Sequence, residues 1–184
     1  GFYSSSGNSG VTLGWNKVPG ATKYQVYRAT SKTGKYKRLV TTKYRQYTNT
    51  SVTKGQKYYY KVRAYKKKHG KKYGSFTVPI EGMTKPGTVG GFSVSVSETG
   101  TVTSRWNRSI GAAGYELQRA LSEGGTFVTV GETAALSLND TLSESGKYRY
   151  RVRAFAIVNG KRVYGDFSTG GRSSAISQAQ SWVG

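Results

Sequence analysis

The feature that most constrains the fold is an internal repeat with a period of about 91 residues. Four blocks of the first half recur in the same order in the second half, at separations of 90 or 91 residues: 15–16 and 106–107, 24–29 and 115–120, 58–65 and 148–155, 73–76 and 164–167. A slip of one residue between blocks is what an insertion in a turn produces. The chain therefore contains two copies of one structural unit.

Two copies in 184 residues leave about 90 residues for each, enough for a unit to bury its own core. The segment between the copies holds Pro86 and several glycines, which suits a boundary. We therefore expect a first domain over 1–82, a linker over 83–90, a second domain over 91–170 and a C-terminal tail over 171–184. The first residues are not a signal peptide, so we expect any targeting segment to lie outside this chain.

Each copy has the alternation typical of strands. In the segment 58–64, apolar residues at every second position alternate with Lys61 and Arg63, and the segment 148–154 repeats the pattern. A period of two with one apolar and one charged face indicates a half-buried antiparallel strand. Short strands separated by Gly, Asn, Ser and Thr turns predict an all-β chain of two sandwiches.

Each copy has a Trp on its predicted second strand, a Tyr about nine residues later, and an apolar residue six positions before Tyr58 or Tyr148. Taken together, these residues resemble the fibronectin type III family, particularly its bacterial surface members, in which the last feature is a tyrosine corner. The resemblance covers roughly residues 2–80 and 91–168. It implies two tandem immunoglobulin-like β-sandwiches in a secreted or bacterial cell-surface protein.

The sequence also departs from the family pattern. Lys54-Gly55 and Ser145-Gly146 stand where the family commonly has Pro-Gly before the corner. The chain lacks the Arg-Gly-Asp tripeptide through which some family members bind integrins, so the resemblance gives no support for integrin binding by that route.

Four aromatic residues are expected in the cores. Trp15 and Trp106 should fill the space between the two sheets of each unit, where truncation to Ala would cost about 3–5 kcal/mol. Tyr58 and Tyr148 should bury their rings and hydrogen-bond to backbone at the corner. Ligand stacking is the alternative role for all four, and we favour the core.

The residue inventory argues against catalysis. The chain has no Cys, its one His is His69 within a run of lysines, and residues 1–80 contain no Asp or Glu. A carboxylate pair could come only from the second copy, whose Asp140, Glu144 and Asp166 lie at predicted turns or strand ends. We therefore expect no enzyme activity, no catalytic residue, no metal site and no cofactor.

Charge is distributed unevenly between the copies. The net charge is +21, of which residues 1–80 contribute +18 and residues 81–184 contribute +3. Five lysines cluster where the hairpin between strands F and G should turn: Lys66, Lys67, Lys68, Lys71 and Lys72. We predict that they form an anion-binding tip for an acidic polymer or glycan, and that their replacement by Ser abolishes most of the binding. The alternative is a solvated loop that protects the hairpin from aggregation.

A second cationic surface follows the polar face of strand F in each copy. It comprises Lys57, Lys61 and Arg63 in the first copy and Lys147, Arg149, Arg151 and Arg153 in the second. Long cationic side chains also cover apolar surface, and we favour that role here. Several tyrosines could supply aromatic contacts beside this charge: Tyr36, Tyr44, Tyr47, Tyr59 and Tyr73. Since no recognised nucleic-acid motif is present, we expect no specific nucleic-acid partner.

Three functions remain open. The first is a non-catalytic extracellular spacer or adhesion module whose basic first domain binds anionic polymers or glycans. The second is a structural subunit of an extracellular fibre, in which Trp182 of the tail anchors assembly by strand exchange with another copy. The third is an accessory module of a larger cell-wall or glycan hydrolase, with neighbouring domains in the same protein as partners.

Overall fold

The computed structural model describes residues 1–66, 70–97, 100–121, 124–142, 146–168 and 171–173. Every regular element in these ranges is a β-strand, which confirms the all-β prediction. Within them, no helix has the length and apolar character that crossing a membrane requires. The chain divides into two compact units. The first unit comprises Gly1–Lys85 and Ile157–Val163, and the second comprises Pro86–Ala156 and the described residues from Tyr164 onward.

The first sandwich contains eight strands among the described residues. In chain order they are β1 (Phe2–Ser6), β2 (Val11–Trp15), β3 (Lys23–Ala29), β4 (Lys37–Thr42), β5 (Gln46–Asn49), β6 (Tyr58–Lys66), β7 (Lys72–Phe76) and β8 (Ile80–Gly82). One sheet has the order β1-β2-β5, and the other has the order β4-β3-β6-β7, with β8 also paired to β6. The strand pairs are antiparallel.

The second sandwich repeats this arrangement. Its strands are β9 (Ser93–Val96), β10 (Thr101–Arg105), β11 (Gly114–Leu121), β12 (Val128–Thr133), β13 (Ser137–Thr141), β14 (Tyr148–Val158), β15 (Lys161–Tyr164) and β16 (Gly171–Ser173). The sheets have the orders β9-β10-β13 and β12-β11-β14-β15, with β16 paired to β14. The repeat in the sequence is thus a repeat of topology.

The cores lie between the sheets, as the sequence predicts. Trp15 and Trp106 are 6% and 4% exposed, and each belongs to the buried cluster of its own sandwich. Tyr58 is buried and its hydroxyl accepts a hydrogen bond of 3.0 Å from the backbone N–H of Thr53. Tyr148 is buried in the same way, while residues 143–145 of its corner lie outside the described residues.

A two-residue turn connects β14 and β15. Asn159 and Gly160 have φ values of 50° and 74°. Positive φ at both central residues is the requirement of the type I′ turn, and Asn-Gly is the dipeptide that best meets it. The β14–β15 hairpin therefore turns on the dipeptide that this geometry favours.

Candidate functional site

Three of the five lysines of the predicted cluster lie at the end of the β6–β7 hairpin. Lys66 is the last residue of β6 and pairs with Lys72, the first residue of β7. Lys66, Lys71 and Lys72 are exposed, and Gly70 between the strands has a φ of 99°, which suits a tight turn. Lys67, Lys68 and His69 lie outside the described residues, as does Trp182. The described lysines thus present three positive charges at one end of the first sandwich.

A shallow cleft lies beside this hairpin. Its volume is about 210 Å³, and it is lined by Lys66 and Lys72 together with the β2–β3 connection, 18–21. Tyr65 and Tyr73 stack at its edge with ring centroids 5.2 Å apart. The hairpin therefore combines cations with an aromatic surface that is half exposed at Tyr73.

The outer face of the first sandwich carries a ladder of alternating cations and rings. The Lys61 ammonium lies 4.2 Å from the ring centre of Tyr36 and 4.1 Å from that of Phe76. The Arg63 guanidinium lies 4.7 Å from Phe76 and 4.1 Å from Tyr73. Each distance is within the range of a cation–π interaction. Lys61 and Arg63 lie on β6, which is strand F of the sandwich. Their side chains therefore cover aromatic surface, which is the role that the sequence favours.

The second sandwich has the same ladder. The Arg151 guanidinium lies 3.8 Å from the ring centres of both Phe127 and Phe167, and that of Arg153 lies 4.5 Å from Phe167 and 3.8 Å from Tyr164. These five residues follow their counterparts in the first ladder by 90 or 91 positions. The ladder is thus part of the repeated unit.

The two ladders differ in the group that accepts hydrogen bonds from arginine. In the first sandwich, Arg63 Nε donates to the amide oxygen of Gln25, at 2.9 Å. In the second, Arg153 Nε donates to the carboxylate of Glu116, which stands 91 residues after Gln25. The first ladder therefore has a neutral amide where the second has a carboxylate.

The Glu116 carboxylate is held in its charged form. Burial alone would raise its pKa, but hydrogen bonds from Arg153, Gln118 and Thr129 and the positive charge of Arg153 outweigh burial and lower the pKa below its ordinary value. The negative charge therefore persists at neutral pH and offsets one cation of the second ladder. The first ladder has no such offset from Gln25.

A second buried position shows the same difference. Asp140 accepts hydrogen bonds from Arg119 and from the Tyr150 hydroxyl, both at 2.8 Å. Its counterpart in the first sandwich is Asn49, whose amide donates to the Tyr60 hydroxyl at 3.0 Å. Burial, followed by the hydrogen bond to Asp140 and its charge, raises the pKa of Tyr150. Asp140 is next to the last residue of β13, as the sequence indicates, and there it forms a partly buried ion pair with Arg119.

The first unit contains a single acidic residue, Glu81. Within the first unit, Glu81 forms an ion pair of 3.0 Å with Lys57. Among the described residues, no three His, Cys, Asp or Glu side chains lie together as a metal site would need. What the first unit offers a ligand is exposed cations beside aromatic rings, a chemistry that suits anions.

Reasoning from sequence missed the aromatic rungs of the ladders. The sequence indicates Tyr36 only as a possible aromatic contact, and nothing local to Phe76, Phe127 or Phe167 distinguishes these residues. The repeat itself carried the signal, since Phe76 and Phe167 are 91 residues apart, as are Tyr36 and Phe127. An aromatic residue at the same position in both copies indicates a shared packing role, which here is contact with the cations of β6 and β14.

Comparison with solved structures agrees with this architecture. A two-domain fibronectin type III segment of chicken tenascin aligns with 94% of this chain and with 97% of the tenascin segment, with 18% sequence identity and a TM-score of 0.50. The FN1–FN3 domains of chicken CNTN1 match 94% of this chain and 65% of their own, with 17% identity and a TM-score of 0.49. The tenascin match shows that the chain has the fold of tandem fibronectin type III domains.

Comparison of sequences gives a more limited match. No family model matches the chain. An amylopullulanase of Thermoanaerobacter thermohydrosulfuricus is 43% identical over 60 residues, which are 32% of this chain. The match spans only 4% of the length of that enzyme.

Proposed function

We propose that the chain is a non-catalytic extracellular module whose first sandwich binds an anionic polymer. The observation that carries the proposal is the absence of Asp and Glu from residues 1–80, combined with amides at Gln25 and Asn49, where the second sandwich has Glu116 and Asp140. Arg63 and Arg28 therefore lack the carboxylate partners that Arg153 and Arg119 have in the second sandwich, and the one acidic residue of the first unit, Glu81, is paired with Lys57. A field of one sign attracts polyanions and concentrates them near the surface.

The β6–β7 hairpin is the point of first contact in this proposal. Lys66, Lys71 and Lys72 are exposed, and in the described residues no carboxylate is paired with them by an ion pair. Charges at an exposed position are screened by salt within about 8–10 Å at physiological ionic strength. Binding through this hairpin should therefore weaken steeply as salt is added.

Replacing Lys66, Lys71 and Lys72 with Ser is expected to weaken binding to polygalacturonate by about tenfold at low salt, because three charges leave one contact surface. The dissociation constant of the full chain is measured by isothermal titration calorimetry at several NaCl concentrations. The matched control replaces Arg105, Arg108 and Lys147, three exposed cations of the second sandwich, with Ser, which lowers the net charge equally. We expect less than about a twofold loss in the control.

Two outcomes would contradict the proposal. Binding that is independent of salt would show that charge does not drive it. An equal loss in both triple variants would show that net charge acts without any preference for the hairpin.

The amylopullulanase match favours a second, compatible candidate, an accessory module of a larger glycan hydrolase. In that setting the sandwiches would hold a catalytic domain near its polymeric substrate. The test is the full reading frame that encodes this chain. A glycoside hydrolase domain in the same frame supports the accessory role, and a frame without any catalytic domain rejects it.

A further inference from the structure

A groove of about 740 Å³ opens on the first sandwich beside the β4–β5 connection. Its lining includes Tyr3 from β1, the connection residues Lys43, Tyr44 and Arg45, and the polar side chain of Gln46. Tyr3 and Tyr44 are 59% and 66% exposed, so two large rings face solvent. Exposed rings beside hydrogen-bonding groups in a concave surface are typical of a ligand site.

The groove residues are held in place by the fold. A Cβ atom added to Gly14 would lie 2.2 Å from Cζ of Tyr3, so the tyrosine ring rests directly on the glycine backbone. The backbone N–H of Trp15 donates to the carbonyl of Arg45 at 3.0 Å. The N–H of Tyr44 donates to the Thr42 hydroxyl at 3.1 Å. The backbone of the connection and the Tyr3 ring are therefore already in place before a ligand binds.

The second sandwich has the same backbone without the groove residues. The N–H of Trp106 donates to the carbonyl of Leu136 at 3.0 Å, and the N–H of Ala135 donates to the Thr133 hydroxyl at 3.0 Å. These bonds match those of Arg45 and Tyr44 at a separation of 91 residues.

The side chains at these equivalent positions are unrelated. The second sandwich has Ala134, Ala135 and Leu136 in the connection, where the first has Lys, Tyr and Arg. It also pairs Ser93 with Arg105 where the first sandwich pairs Tyr3 with Gly14. Because the connection folds equally well with small side chains, the fold does not require the exposed rings and cations of the first sandwich.

The chemistry of the groove favours one kind of ligand. The Lys43 ammonium lies 5.4 Å from the ring centre of Tyr44, and Arg45 beside it is exposed. The groove lining contains no carboxylate. A tyrosine ring offers a flat apolar face to the C–H face of a sugar, while Lys and Arg pair with a carboxylate.

We propose that this groove binds the acidic sugar units of a polysaccharide. The proposal rests on the anionic-polymer function above and names the site of short-range recognition, with Tyr3 and Tyr44 stacking on sugar rings and Lys43 and Arg45 pairing with their carboxylates. The lysines of the β6–β7 hairpin contribute longer-range attraction. The groove therefore determines which polyanion is bound, and the hairpin determines how strongly binding depends on salt.

The test replaces Tyr3 with Ser and Tyr44 with Ala, the residues of the second sandwich, in the full chain. Affinity for short oligogalacturonates is expected to fall about tenfold, since exposed aromatic anchors dominate many binding sites. The dependence of affinity on salt should not change, because no charge is removed. The control replaces Leu121 and Val128, which are 50% and 54% exposed, with Ser and should bind as the parent does. Thermal unfolding verifies that both variants fold.

The outcomes separate this proposal from the one on which it rests. If the parent binds oligogalacturonates and the Tyr3 and Tyr44 variant binds them equally tightly, the groove is not the site, and the anionic-polymer function stands. If the parent binds polygalacturonate but not the short oligogalacturonates, the groove proposal fails alone. If it binds neither at low salt, the anionic-polymer function itself fails. If the parent binds neutral pullulan oligosaccharides as tightly, the groove does not select acidic sugars.

Discussion

Replacing Trp15 with Ala is expected to lower the free energy of unfolding of the first sandwich by about 3–5 kcal/mol. The indole is 6% exposed and contacts Tyr24 and Phe2, with ring centroids 5.6 and 6.5 Å away. Truncation removes the indole from a cluster that also holds Tyr24, Tyr58 and Tyr60, and leaves a cavity between the sheets. Urea unfolding followed by the amide NMR signals of the first sandwich measures the loss.

Two other variants define the cause of this loss. Trp15→Phe should cost much less than Trp15→Ala, because the indole Nε1 is buried without a hydrogen-bond partner and Phe retains an aromatic ring. Tyr44→Ala, at a position that is 66% exposed, should change stability by less than about 0.5 kcal/mol. A loss below about 1 kcal/mol for Trp15→Ala would contradict a core role for this residue.

Replacing Asp140 with Ala is expected to destabilise the second sandwich by about 3 kcal/mol. The carboxylate accepts hydrogen bonds from Arg119 and from Tyr150, which is 1% exposed. Without the acceptor, the tyrosine hydroxyl and part of the guanidinium lie buried and unpaired. Urea unfolding followed by the amide signals of the second sandwich measures the change.

Asp140→Asn is the matched variant, because it recreates the first sandwich, where Asn49 bonds to Tyr60. An amide keeps an acceptor for Arg119 and can donate to the Tyr150 hydroxyl, so the expected loss is about 1 kcal/mol or less. Equal losses for Asn and Ala would show that the negative charge itself stabilises the site, contrary to this account.

Much of the fold follows from the sequence because its physical causes are local or repeated. Alternation of apolar and charged residues in the segments 58–64 and 148–154 indicates a strand with one buried face, and Asn159-Gly160 indicates a two-residue turn. The tryptophans of the two copies identify the cores because a large apolar side chain in or next to a strand is most stable when it is buried between the sheets. The repeat then requires that both copies adopt the same topology.

The candidate sites are less predictable because they depend on pairing across strands. Arg63 meets Phe76 only because β6 and β7 pair in that register, with an irregularity between Arg63 and Tyr65. Tyr3 lies on Gly14 only because β1 and β2 pair those two residues. Neither register is encoded by spacing alone, and both determine which side chains share a surface.

The contrast between Gln25 and Glu116 is visible in the sequence, yet its meaning is structural. Aligning the copies places a Gln opposite a Glu, an ordinary difference between repeats. Only the structure shows that both side chains accept from the arginine of an aromatic ladder. The exchange of Gln for Glu therefore changes the net charge around the ladder arginine on the outer face of the sheet.

The most direct test of the central claim is a single isosteric charge change within the first ladder. Gln25→Glu gives Arg63 the carboxylate partner that Arg153 already has. Asn107→Asp places the same charge at an exposed position of the second sandwich. The affinity of each full chain for polygalacturonate is measured at low salt. We predict that Gln25→Glu weakens binding about two- to fivefold and that Asn107→Asp changes it little. Equal affinities of the two variants would contradict the claim that the first sandwich binds polyanions because its cations lack carboxylate partners.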